Sequence, residues 1–160
     1  MAYVRSKSAS GRSPLVRLAT LSLLGSVVAA GVALLWPFSH AAWFVAYLFL
    51  VGFLAQALLE RGQAALAGPR ATTRLPLQAA LWNAGVIAVP IGVFTDARLW
   101  VVLGGVSLLV ALVSFWRATR QSRPGRNRPV RLQTAYVLLI AAMALSSMIG
   151  IGLAWRRPWL

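Results

Sequence analysis

Five apolar runs constrain this chain more than any other feature. They cover Leu18–Trp36, Ala41–Leu59, Leu75–Phe94, Leu99–Trp116 and Leu132–Trp155, and none holds an internal Asp, Glu, Lys, Arg or His. A hydrocarbon core is crossed by roughly 20 apolar residues in a helix. Hydrocarbon satisfies no backbone N–H or C=O, so runs of this kind fold as helices whose bonds close internally. The expected fold is all-α, a polytopic bundle of five transmembrane helices. A soluble bundle is disfavoured because only 11% of the 160 residues are charged, too few to coat five such helices. The expected organisation is a basic tail at 1–17, one membrane domain at 18–155 and a short tail at 156–160.

The charges sort by side. Sixteen Lys and Arg face two acids, a formal net charge of +14. In a soluble protein this balance points to nucleic acid. Here thirteen basic residues fall in three segments: Arg5, Lys7, Arg12 and Arg17; then Arg61, Arg70 and Arg74; then Arg117, Arg120, Arg123, Arg126, Arg128 and Arg131. The remaining three are Arg98, Arg156 and Arg157. Basic residues in short loops stay cytoplasmic, which places the N-terminus inside and the C-terminus outside. The stretch "WRATRQSRPGRNRPVR" is therefore a topological anchor. Its expected company is anionic lipid headgroups, with no nucleic acid. The first run has 19 residues, longer than the apolar region of a cleaved signal peptide, and reads as an uncleaved anchor. Fifteen Arg against one Lys suggests a high-GC bacterium and thus its cell membrane.

Reactive residues are scarce. With no Cys and one His, neither a metal site nor a haem with two protein ligands is expected, and no cofactor. No nucleophile–base pair or phosphate loop is evident, so the chain is not expected to be an enzyme. The candidates that remain are few. Asn83 is the most polar residue deep in a span, and a buried amide there seeks partners; Ser26, Ser107 and Ser146 are the serines expected to meet it. Pro90 should kink the third span, because it lacks an N–H and its ring crowds the carbonyl four residues back. His40, Asp96 and Arg98 lie in the two outer turns and form a candidate outer cluster, with Asp96 otherwise expected to cap the fourth span. Gln56 and Gln78 are expected at the membrane interface, and Glu60 in a local ion pair with Arg61.

Close packing in lipid relies on small residues. Stripes at four-residue spacing are Ser22–Ser26–Ala30 in the first span, Ala80–Ala84–Ala88–Gly92 in the third and Ala142–Ser146–Gly150–Ala154 in the fifth. A related ridge, Gly104–Ser107–Ala111–Ser114, lies in the fourth, while the second span is bulky nearly all round. The dipeptide Arg-Leu recurs at 17, 74 and 131, a spacing of 57 residues, either a duplicated hairpin or simply common hairpin length. The leading expectation is a non-enzymatic membrane protein acting through helix packing, as an accessory or scaffold subunit. Its partners would be the bilayer and a second membrane protein or further copies of itself. The alternative is a small oligomeric transporter or channel with its path near Asn83 and the Pro90 kink. A phosphatase that is active only outside the cytoplasm should be active when fused after Leu160 and silent when inserted at Gly125. The reverse pattern would refute the orientation.

Overall fold

The structure, a computed structural model, describes residues 14–36, 40–67, 75–121 and 130–156. Its elements are α1 (Pro14–Leu35), α2 (Ala41–Tyr47), a π-helical segment (Leu48–Ala55), α3 (Gln56–Ala67), α4 (Leu75–Phe94), α5 (Arg98–Gln121) and α6 (Val130–Arg156). Because α2, the π-helical segment and α3 follow one another without a break, they form a single long rod. Five helices are thus long and apolar enough to cross a membrane: Leu15–Leu35, Ala41–Leu66, Pro76–Phe94, Arg98–Arg120 and Val130–Gly152. This is the architecture of a multi-pass membrane protein.

The second span runs well past Leu59, the end expected from hydropathy. The continuation, "QALLERGQAALA", is polar but built of strong helix formers. Its one weak position, Gly62, is held by packing, since a Cβ there would overlap the Tyr136 ring of α6.

At the centre lies the hairpin of α4 and α5. About 39% of each of their apolar windows is buried, against 11% for α1 and 6% for α6. Small residues let the two backbones approach closely. A Cβ on Gly104 would stand 2.9 Å from the Val89 backbone N, and one on Gly85 would stand 2.8 Å from the Gly104 carbonyl. Ser107 Oγ donates to the Leu81 carbonyl at 2.7 Å, and Ala111 is fully buried. The ridge on the fourth span is therefore the packing seam expected of it. The face that α4 turns to it keeps Ala88 and Gly92 of the expected stripe, the Ala88 Cβ 3.1 Å from the Cβ position on Gly104, and departs from it nearer the start of the helix. Gln78, Gly85 and Gly92 are buried, while Ala80 and Ala84 are exposed.

The second span is not bulky on every side. Gly52 meets Ser22 of α1, where an added Cβ would stand 2.8 Å from the Ser22 Cβ. One turn away, Ser26 Oγ donates to the Val45 carbonyl at 3.2 Å. The serine stripe of α1 thus packs on the π-helical segment and its neighbour. A π-helix is rare and mostly limited to single turns; here it spans eight residues. Trp82 of α4 is tied into it, its Nε1 donating to the Val51 carbonyl at 3.2 Å. The same indole meets Phe115 edge-on, with ring centroids 6.4 Å apart. Leu15, Leu59, Leu112 and Phe115 complete the core.

These contacts separate packing glycines from idle ones. Gly104→Ile should cost about 1–3 kcal/mol, the usual penalty for overpacking, read as a lowered unfolding midpoint in mixed micelles. Gly31→Ala should be neutral or stabilising by up to about 1 kcal/mol, because a Cβ there meets nothing within 4 Å.

Candidate functional site

The polar side chains of the interior gather toward the end of the bundle that carries Arg17, Arg61, Arg117, Arg120 and Arg131, all exposed. Along α3, Gln56, Glu60 and Gln63 follow one another at spacings of four and three residues, which places them on one helical face. That face points inward. Gln56 is 0% exposed and Gln63 2%, beside Leu59 and Leu66. From α4, Gln78 is also 0% exposed. Gln78 lies one turn before Trp82 on α4.

Gln78 Nε2 donates to Ser114 Oγ at 3.3 Å, and Tyr136 Oη donates to the Leu59 carbonyl at 3.4 Å. Other polar atoms of the group have no hydrogen-bond partner: both amide atoms of Gln56, both of Gln63, and Oε1 of Gln78. Glu60, half-buried on the same face, is engaged within the fold. Gln56 and Gln78, expected near the span ends, are covered by protein on every side. Helix α3 continues beyond Leu59 to Ala67. Trp82, one turn along α4 from Gln78, and Phe115, next to Ser114, are both buried.

The sequence-predicted site residues are dispersed. Asn83 Nδ2 donates to the Ala79 carbonyl of its own helix at 2.8 Å. With Pro90 and Ser22, Asn83 lines a lateral groove of about 480 Å³ between α1, α2 and α4. Ser26 and Ser107 are spent on the Val45 and Leu81 carbonyls. Ser146 is exposed and lines a different cavity, of about 190 Å³, with Trp43, Tyr47, Trp82 and Met143. The structure does not bring these four residues together. α4 runs without interruption through Pro90, which is buried.

At the other end, the edge-on contact of Phe44 with Phe94, 5.2 Å between centroids, sets the first turn of α2 beside the last turn of α4. This brings His40 and Asp96 to the same rim. Both adopt left-handed backbone, φ 68° and 51°, and both are exposed, as is Arg98. Asp96 closes α4, where Ala97 N donates to the Gly92 carbonyl at 3.0 Å. The residue that accepts the first bond of α5 is Ala97, from Trp100 N at 3.0 Å. Asp96 thus ends α4 and is not the cap of the fourth span; Asp tolerates the left-handed position better than most residues. Among the described residues no group of three or more His, Cys, Asp or Glu could hold a metal ion.

At the arginine-rich end, the Arg120 guanidinium lies 4.2 Å from the centroid of the Trp116 ring. Arg123, Arg126 and Arg128 lie outside the described residues, as do Arg70 and Arg74. On α6 the small-residue stripe Ala142, Ser146 and Gly150 is exposed along its length, and a Cβ on Gly150 or Gly152 would meet nothing within 4 Å. The sequence matches no protein-family model, no curated protein and no solved structure.

Trp82 is the residue on which the inner half depends. Trp82→Phe keeps an aromatic ring but loses the bond to Val51, a loss of about 1 kcal/mol. Trp82→Ala also opens a cavity and should cost about 3–5 kcal/mol. Unfolding midpoints of the two variants check the ordering.

Proposed function

We propose that this is a non-enzymatic membrane protein that acts through helix packing, as an accessory or scaffold subunit of a membrane complex. It would sit in a bacterial cell membrane with the N-terminus cytoplasmic and the C-terminus outside, following the asymmetry of its basic loops. The observation that carries the reading is α6. It is the least buried span, with 6% of its apolar window covered, yet it carries the stripe Ala142–Ser146–Gly150. Helices in lipid associate through small-residue surfaces of this kind, and within the chain this one is left exposed. Its flanks, Leu145, Met148 and Ile149, are exposed and apolar, suited to a partner helix in the bilayer. On the cytoplasmic side, exposed Arg117, Arg120 and Arg131 suit anionic headgroups.

The alternative, a small oligomeric transporter with its path at Asn83 and Pro90, has less support. The Asn83 amide nitrogen is bonded within α4, and the groove beside it is lined mostly by apolar side chains, Leu21, Ile87, Ile91 and Phe94 among them exposed.

Substitutions on the α6 stripe test the packing reading directly. The wild-type chain in mild detergent or native nanodiscs should run as a complex, with further copies or a stoichiometric second chain. Gly150→Leu should release it as a monomer with its helix content unchanged, because a Cβ at Gly150 meets nothing within 4 Å. A wild-type chain that is monomeric at every concentration, with no stoichiometric companion, would overturn the proposal.

A further inference from the structure

The cavity of about 190 Å³ that Ser146 lines is formed by α2, the π-helical segment, α4, α5 and α6, with no charged side chain among the described residues that line it. Trp43 and Tyr47 of α2 contribute stacked rings, 5.2 Å between centroids and inclined by 23°. Trp82 of α4 and Met143 of α6 also line it. The rings are held in place. Trp82 Nε1 donates to the Val51 carbonyl, and Tyr47 Oη donates to the Gly85 carbonyl at 3.5 Å. Val51 belongs to the π-helical segment and lines the same cavity; π-helical turns occur frequently at functional sites. α6 is seated beside the cavity by a close approach, since a Cβ on Gly105 would stand 2.6 Å from Ile151 Cγ1.

Size and lining chemistry narrow what such a cavity takes. An apolar cavity of ~150 Å³ holds one benzene molecule, so this one accommodates a single ring with small substituents. Lipid chains are as apolar as the wall, so burial alone selects nothing in a membrane. Two features of the wall do select. Three aromatic rings and a thioether favour a planar π system over a saturated chain, through ring–ring and sulfur–ring contacts. Ser146 Oγ, moreover, has no hydrogen-bond partner among the described residues, whereas Ser147 beside it donates to the Met143 carbonyl at 2.9 Å. A hydroxyl in apolar surroundings gains by meeting an acceptor, and a ketone dissolved in hydrocarbon lacks a donor in the same way. Trp43 and Ser146 are exposed and lie within membrane-spanning helices, which makes the bilayer the route of entry.

We propose that this cavity binds an uncharged, lipid-soluble planar ring that carries a carbonyl acceptor, a ligand of the quinone class. Its ring lies against Trp43, Tyr47 and Trp82, and its carbonyl accepts from Ser146 Oγ. The site is contained in one chain and does not rest on a partner helix at the α6 stripe.

The methionines supply a built-in comparison. Met143 lines the cavity, Met148 is 62% exposed, and the third is Met1. The full-length chain, with isotope-labelled methionine methyl groups, is titrated in nanodiscs with tetramethyl-para-benzoquinone. Tetramethylcyclohexane serves as the saturated control. The quinone should shift the Met143 methyl resonance saturably and leave Met148 without a saturable shift, and the saturated ring should do neither. Ser146→Ala should raise the apparent Kd about three- to tenfold, the range of one hydrogen bond. Because alanine keeps the α6 stripe small, ligand binding and helix association are read separately in this variant. Ser147→Leu, which fills the cavity, should abolish the saturable shift. A Met143 shift that rises without saturating, or that the saturated ring reproduces, would mean partition into lipid and overturn the site. Wild-type affinity in Ser146→Ala would overturn it too, the hydroxyl then being spent on its own helix. Should Ser147→Leu fail to fold, the wild-type titration and Ser146→Ala decide the matter.

Discussion

Hydrocarbon offers no hydrogen bond to a group placed in it, and the position of nearly every polar atom in this chain answers to that constraint. Backbone groups are satisfied inside helices, which is why the spans are helical at all. Serines in the spans turn to carbonyls: Ser26 to Val45, Ser107 to Leu81 and Ser147 to Met143. Two of these three bonds cross between helices, so the groups lipid would penalise also fix which helices meet. Trp82 does the same with a larger side chain, pinning α4 to the π-helical segment through Val51. The glutamines are the exception to this pairing, and they lie at the end nearest to water.

The spans were legible in the sequence because the signal is coarse: a run of about twenty apolar residues needs no knowledge of neighbours. The fourth-span ridge was legible for a related reason, since small residues four apart define a face whichever helix covers it. What was hidden depends on tertiary contacts. Nothing in "LFLVGFLA" announces a π-helix; its carbonyl at Val51 takes a donor that lies 31 residues later. Gln56 and Gln78 read as interfacial because helix α3 was expected to stop at Leu59. Once Gly62 packs on Tyr136 and the helix reaches Ala67, protein covers the same glutamines. The i, i+4, i+7 spacing of Gln56, Glu60 and Gln63 was a visible signal, but it gained meaning only with that extension. Asn83 lies deep in its span, and its Nδ2 donates to the Ala79 carbonyl of its own helix, a local bond that the sequence alone does not announce.

Burial divides the chain into a core and a periphery. α4 and α5 are locked by reciprocal small residues, Gly85 against Leu108 and Gly104 and, further along, Gly92 against Val101. α1 and α6 flank them with most of their surface uncovered. For α1 this uncovered surface is largely bulky: Leu21, Leu24, Val27 and Val28 are exposed, as suits lipid contact. For α6 it includes the small residues, which present less area to lipid chains than a leucine face would. The same exposure therefore has a different character on the two helices, bulky on α1 and interspersed with small residues on α6.

The glutamines set a limit on how the inner half can be built. Native proteins are stable by about 5–15 kcal/mol in total. Each buried amide left unpaired costs about 1–3 kcal/mol, so a dry core with Gln56, Gln63 and Gln78 in these positions would spend a large part of that margin. Leucine at the same positions, common elsewhere in this chain, would spend none.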